Sequence, residues 1–163
     1  MDTWTAHMCR LTLAIFTMVI AAAPCAAQDN VDGFVARIYG NRQGTMPYRL
    51  FIPARYDKQQ SYPLIIWLHG AGGRGVDNRL QISGDQIAGT RMWTRPERQA
   101  TNPSFVLVPQ SPGSWTSAED MRRDTLSDSL ALVVGILDAL ENEFNIDPRR
   151  IYIAGQSDGA VSG

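Results

Sequence analysis

Cysteine is almost missing from this sequence, occurring only at Cys9 and Cys25. Both positions fall in an N-terminal segment that carries the marks of removal, described below. The mature chain is therefore expected to form neither disulfides nor thiolate metal sites, and its core alone must hold the fold. Lysine is reduced to Lys58, and almost all cationic charge is arginine, a bias that points to no function. Beyond the N-terminal segment histidine occurs only at His69. Charge of one sign is not in excess. A net charge of -1 gives no electrostatic ground for a nucleic-acid partner or an anionic membrane. The sequence also lacks internal repeats, low-complexity stretches and any cluster of metal-ligating residues, so no cofactor is implied. Its 163 residues allow one domain at most.

What is present begins with a leader. Arg10 precedes an uncharged apolar run from Leu11 to Ala23, followed by the small residues Pro24-Cys25-Ala26-Ala27 and then by polar Gln28-Asp29-Asn30. A positive charge, an apolar stretch and a small-residue site describe a secretory signal peptide over residues 1–27, cut after Ala27. Met8 is an alternative start. The run is short of the ~20 apolar residues of a membrane span, so no stable span is expected after cleavage. A retained anchor is the rival reading. A lipid-modified Cys25 fits less well, because Pro24 breaks the lipobox pattern. The protein is expected to be secreted or periplasmic.

Past the leader the pattern alternates between strands and a helix. Phe34 to Tyr39 and Tyr48 to Ile52 read as two strands, paired antiparallel. Leu64-Ile65-Ile66-Trp67-Leu68, Phe105-Val106-Leu107-Val108 and Ile151-Tyr152-Ile153-Ala154 are short runs that suit strands buried on both faces of a mostly parallel sheet. Between the last two, Leu126, Leu130, Val133, Val134, Leu137, Leu140 and Phe144 recur at spacings of three and four, which predicts an amphipathic helix. Thr125 with Asp128 resembles its capping pair, Asp147-Pro148 is expected to end it, and Gly135 is expected to allow close packing on the sheet. Residues 78–100 read as a short helix or irregular surface segment. This order predicts an α/β fold with parallel strands and crossover helices.

Two glycine-rich stretches carry chemistry. The first is Gly155-Gln156-Ser157-Asp158-Gly159, directly after the last strand. A serine hydroxyl needs a base and a sharp turn to become an effective nucleophile. A strand-to-helix elbow provides the turn, and glycine two residues either side removes side chains that would collide. The bland alternative is an ordinary glycine-rich turn.

The second stretch is His69-Gly70-Ala71-Gly72-Gly73-Arg74-Gly75, after the first buried strand. Backbone N–H groups aimed at a developing oxyanion stabilise the transition state of acyl transfer. The amide after the nucleophile, Asp158, is one expected donor. Ala71 is the other, with Gly72 next. A phosphate loop is disfavoured, because the stretch lacks both the Lys-Ser/Thr ending and the G-x-G-x-x-G spacing.

His69 invites assignment as the base. The chain order of this motif places the base after the serine, so His69 is instead expected to bond locally and shape the loop. The Asp158 carboxylate receives no role. Gln110, beside Pro109 and Ser111-Pro112, lies at the C-terminal edge of the sheet, where open α/β sheets bind ligands. With Trp115 and His69 it forms the expected substrate-pocket set, against the alternative of a surface turn with a packed tryptophan.

Together these residues resemble the secreted bacterial esterase branch of the α/β-hydrolase superfamily, the group of polyhydroxybutyrate-depolymerase-like esterases, phospholipase/carboxylesterases and predicted peptidases. The matching stretches are Tyr48–Pro53, Tyr62–Gly70, Val108-Pro109-Gln110 and Asn145–Ser157, in family order. The resemblance implies an α/β-hydrolase fold over residues 28–163, cut off after the nucleophile elbow. It implies hydrolysis of a small-molecule or polymeric carboxylic ester through an acyl-enzyme on Ser157. A serine peptidase of the same fold is the alternative. Asp158 departs from the methionine often found there. The family's acid and histidine follow later strands, so residues 1–163 by themselves are expected to be an inactive N-terminal portion, or else a non-catalytic binding protein on the same scaffold.

Overall fold

A computed structural model describes residues 29–162. The signal peptide read in residues 1–27 lies outside the described residues. Six strands form one sheet: β1 (Asn30–Val31), β2 (Phe34–Asn41), β3 (Gly44–Phe51), β4 (Tyr62–Leu68), β5 (Phe105–Pro109) and β6 (Ile146–Gly155). Their spatial order is β1-β2-β3-β5-β4-β6. Asp32-Gly33, both at positive φ, make the tight turn between β1 and β2, where a two-residue hairpin needs left-handed backbone. β2 and β3 pair antiparallel as the sequence predicts, with Asn41 opposite Gly44. β3 pairs antiparallel with β5, while β5, β4 and β6 run parallel. The sheet is therefore mixed, and its parallel half carries both glycine-rich loops.

β4 is the central strand of that half, with β5 on one side and β6 on the other. The chain leaves β4 toward β5 and later returns past β4 to β6. Crossovers of one hand in opposite directions must cover opposite faces of the sheet. The first carries α1 (Ile87–Thr94) and α2 (Pro96–Thr101), and the second carries α3 (Ala118–Arg123) and α4 (Asp128–Glu143). Leu64, Ile66 and Leu68 of β4 pack with Phe105, Leu107 and the α4 residues Leu132, Val133, Ile136 and Leu140. Trp67 points the other way, into a smaller cluster with Phe34, Ile82, Val106 and Val108. Strand alternation thus feeds two cores, which explains the unbroken apolar run of β4.

α4 corrects the sequence reading in phase. Its buried stripe is Leu132, Val133, Ile136 and Leu140, whereas Val134 is exposed and Leu126 lies exposed ahead of the helix. Spacings of three and four fit more than one stripe, and only the sheet beneath selects among them. The N-cap is Ser127, whose side chain accepts the Leu130 N–H, rather than Thr125. The true capping box sits at Ser117 and Asp120, opening α3. Nor does Asp147-Pro148 end α4, which stops at Glu143. Both residues belong to β6, at an irregularity in its pairing with β4 where a missing N–H is tolerated. β6 also differs from expectation: Tyr152 and Ile153 are 55% and 56% exposed, because no described residue covers them.

Gly135 does permit close packing. A Cβ there would overlap the Tyr39 hydroxyl and lie 2.7 Å from its Cζ. Alanine in a helix is worth about 1 kcal/mol over glycine, yet Gly135→Ala should destabilise the domain by about 1 kcal/mol, since overpacking outweighs propensity. In a Tyr39→Ala background the same change should stabilise. Urea unfolding of the four proteins in this cycle measures the reversal, and an equal effect in both backgrounds would refute the contact.

Candidate active site

β4 and β6 end side by side, with Leu68 paired to Gly155. The chain then turns sharply at Ser157, which adopts φ +51 and stands exposed. Left-handed backbone is costly for any residue with a Cβ, by roughly 1–3 kcal/mol, so this serine is held by its surroundings. The Gln156 N–H donates to Leu68 O at 3.1 Å, and the N–H groups of Ala160 and Val161 donate to Ser157 O at 3.0 and 3.2 Å, opening α5 (Asp158–Ser162). Both flanking glycines are sterically required. A Cβ on Gly155 would lie 2.5 Å from the Gly159 carbonyl carbon, and one on Gly159 would overlap the Leu68 carbonyl.

The loop after β4 lies directly against this elbow. A Cβ on Gly70 would come within 3.5 Å of the Ser157 Cβ. Ala71–Gly73 form one 3₁₀ turn, closed by the Gly73 N–H on Gly70 O at 2.9 Å and by the Arg74 N–H on Ala71 O at 3.4 Å. The Gly70 N–H donates to Gln86 Oε1 at 2.8 Å. These bonds leave the Ala71, Gly72 and Asp158 amides with no acceptor among the described residues. Ala71 and Gly72 are exposed.

The three residues expected to line a pocket are instead fully buried and support the loop from behind. His69 Nε2 accepts the Ser111 N–H at 3.0 Å, which places the ring proton on Nδ1, donated to Gly70 O at 2.7 Å. Its ring packs on Trp115 at 4.7 Å between centroids. Trp115 Nε1 donates to His69 O at 2.8 Å. Gln110 donates through Nε2 to Gly73 O at 3.2 Å and Asp77 Oδ1 at 2.8 Å, and its Oε1 accepts the Asn78 N–H at 2.6 Å. None of the three side chains offers surface to a ligand in this structure. Polar residues at the edge of a sheet read from sequence as ligand contacts. Here they satisfy the backbone of a glycine-rich loop that carries few side chains of its own.

Both ring nitrogens of His69 are engaged with backbone groups, so the ring has no free lone pair for Ser157. The Ser157 hydroxyl has no hydrogen-bond partner among the described residues. Burial holds the His69 imidazole below its ordinary pKa of 6.5. The folded state thus binds fewer protons than the unfolded state, and stability rises with pH across that window. The contribution is complete above 6.5 and is lost as pH falls from there through the depressed folded value. In urea titrations between pH 5 and 8, stability should decline below about 6.5, and His69→Gln should flatten that slope. An unchanged slope would contradict it. The hydrogen-bonded carboxylates titrate in a separate window. Asp29, held low chiefly by Arg49, and Asp77, held low chiefly by Gln110, lose their contribution only as pH falls below 3.8 through their depressed values.

Sequence reasoning missed three supports. Gln86 fixes the Gly70 peptide, Arg74 reaches Asp158, and the buried Arg49 holds Asn78 from below. Each partner is more than a dozen residues away in the chain, and no local pattern signals the pairing.

No protein-family model matches the chain, and no curated protein matches it. Solved structures do. A thermostable esterase aligns at 38% identity and a TM-score of 0.72, over 80% of this chain and 36% of its own. A CE1 ferulic acid esterase of the anaerobic fungus Anaeromyces mucronatus aligns at 17% identity and a TM-score of 0.53, over 83% of this chain and 54% of its own. A further ferulic acid esterase aligns at 14% identity and a TM-score of 0.55, over 79% of this chain and 52% of its own. The chain thus spans about a third of the thermostable esterase and about half of the other two. Among the described residues no helix is long and apolar enough to cross a membrane. With its mixed sheet, its crossover helices and a left-handed serine at the β6–α5 turn, this chain has the α/β-hydrolase fold, and its structural neighbours are esterases.

Proposed function

We propose that the polypeptide carrying this chain is a serine hydrolase of carboxylic esters. The observation that carries the reading is Ser157, exposed at φ +51 on a strand-to-helix turn, beside a glycine loop whose Ala71 and Gly72 amides have no acceptor among the described residues. In this reading Ser157 Oγ attacks the ester carbonyl carbon and its proton passes to a histidine base. The carbonyl oxygen becomes an oxyanion, stabilised by the N–H groups of Asp158 and of Ala71 or Gly72. Collapse expels the alcohol, protonated by the same histidine, and leaves an acyl-enzyme on Ser157. Water, deprotonated by that histidine, then releases the acid and restores the serine.

His69 is not that base, because both its nitrogens are occupied. The base and its acid partner belong, in this reading, to a part of the polypeptide that pairs beyond β6. The 36% coverage of the thermostable esterase supports that assignment. The leader pattern of residues 1–27 supports export of the enzyme. Its substrate is a small-molecule or polymeric ester.

A fluorophosphonate probe tests the assignment. The native polypeptide should be labelled at one site, and Ser157→Ala should abolish labelling. Residues 1–163 alone, holding the nucleophile without its base, should label poorly. Undiminished labelling of Ser157→Ala would overturn the reading. Turnover of p-nitrophenyl acetate in preference to a peptide amide is expected, and the reverse would make the enzyme a peptidase.

A further inference from the structure

The two expected oxyanion donors sit on different loops, one after β4 and one after β6. For both N–H groups to meet one oxygen, the loops must keep a fixed separation. The Gln156 N–H to Leu68 O bond joins the loops at their base. A side-chain tie joins them further out. Arg74 Nη2 donates to Asp158 Oδ2 at 3.0 Å and to Ser114 Oγ at 2.7 Å. Arg74 is the residue whose N–H closes the Ala71–Gly73 turn, and Asp158 is the residue whose own N–H is the other donor. The tie therefore runs from the residue that closes the turn carrying one expected donor to the residue that carries the other.

We propose that Arg74 and Asp158 are positioning residues that set the separation of the two oxyanion donors. The proposal rests on the ester-hydrolase reading above. Stability does not account for the pair. Both side chains are partly exposed, so the ion pair returns little. Arg74 Nε is buried with no acceptor among the described residues, and an unmade hydrogen bond costs more than such a pair returns. An arrangement that gains so little in folding is explained by the geometry it imposes. Misplacing a catalytic group by about 1 Å can cost 10²-fold in rate.

Charge cancellation is the competing account. In that account the negative charge of Asp158 would disfavour the forming oxyanion, and Arg74 offsets it. The double variant separates the two. If the tie sets geometry, Arg74→Met and Asp158→Asn should each lower kcat by about 10- to 100-fold, with KM and the urea midpoint little changed. Arg74→Met/Asp158→Asn should then be no slower than either single change, because one contact is lost only once. Arg74→Lys, which keeps a cationic donor group but not the planar fork, should recover part of the rate. Recovery of kcat in the double variant would show charge cancellation and overturn the proposal. A rise in KM without loss of kcat would make Arg74 a substrate contact and also overturn it. Single variants with kcat within twofold of the parent would do the same while Ser157→Ala remains inactive. Turnover retained in Ser157→Ala would instead sink the underlying reading. Each variant is made in the native polypeptide, and the midpoint shows that it folds.

Discussion

Ser157→Ala in the native polypeptide should lower kcat for ester hydrolysis by a factor on the order of 10⁶ while leaving stability unchanged. The two halves of that expectation come from different physics. The hydroxyl is exposed and has no hydrogen-bond partner among the described residues, so removing it leaves no buried group unsatisfied. The strain at this position lies in the backbone, at φ +51, and alanine keeps the Cβ that makes the left-handed region costly. Ser157→Gly removes that Cβ. It should be equally inactive and more stable by about 1 kcal/mol, the αL cost less the entropy glycine brings to the unfolded chain. Steady-state hydrolysis of p-nitrophenyl acetate and urea unfolding measure the two halves. A Ser157→Ala protein within 100-fold of the parent would remove the nucleophile from this position. A Ser157→Gly protein less stable than the parent would show that the elbow stores no strain.

The largest stability effect is expected far from the elbow. Arg49 on β3 is completely buried. Its Nε donates to Asn78 O at 2.6 Å, Nη1 to Asp29 O at 2.9 Å, and Nη2 to Asp29 Oδ2 at 2.9 Å. Arg49→Leu strips the donors from these acceptors and should cost about 3 kcal/mol. That estimate lies at the low end for a broken buried ion pair, because the Asp29 carboxylate is partly exposed and keeps Arg79 at 3.1 Å. Arg49→Lys should restore less than half, since one ammonium cannot span positions that a guanidinium fork reaches together. The loss should spread toward the elbow. Asn78 also donates its N–H to Gln110, which holds Gly73 O behind the glycine-rich loop. Urea midpoints read the cost, and a loss under 1 kcal/mol would show that water replaces the guanidinium.

Much of the site was legible in the sequence because its constraint is local. Gly155 and Gly159 are demanded by contacts within the elbow and with the end of the adjacent strand. A strand followed by G-x-S-x-G can meet that demand in few ways. The loop at Ala71 was legible for a similar reason, since only glycine-rich backbone comes this close to another turn. His69 was expected to bond locally, because chain order argued against a base ahead of the serine, and its ring does bond Gly70 O. Its placement among substrate-pocket residues did not hold, and neither did that of Gln110 or Trp115. Their buried contacts join residues such as His69 and Ser111, or Gly73 and Gln110, that are distant in the chain.

The phase of α4 failed for a related reason. Leu126 and Val134 fit a spacing as well as Leu132 and Ile136 do, and the choice belongs to the sheet face that the helix meets. By itself, then, the sequence determined five of the six strands and the elbow, where sterics act over a few residues. Only the tertiary structure decided which helix face is buried, which arginines are held and what supports the glycine loop. Those outcomes depend on hydrogen bonds and packing between segments that the fold alone brings together.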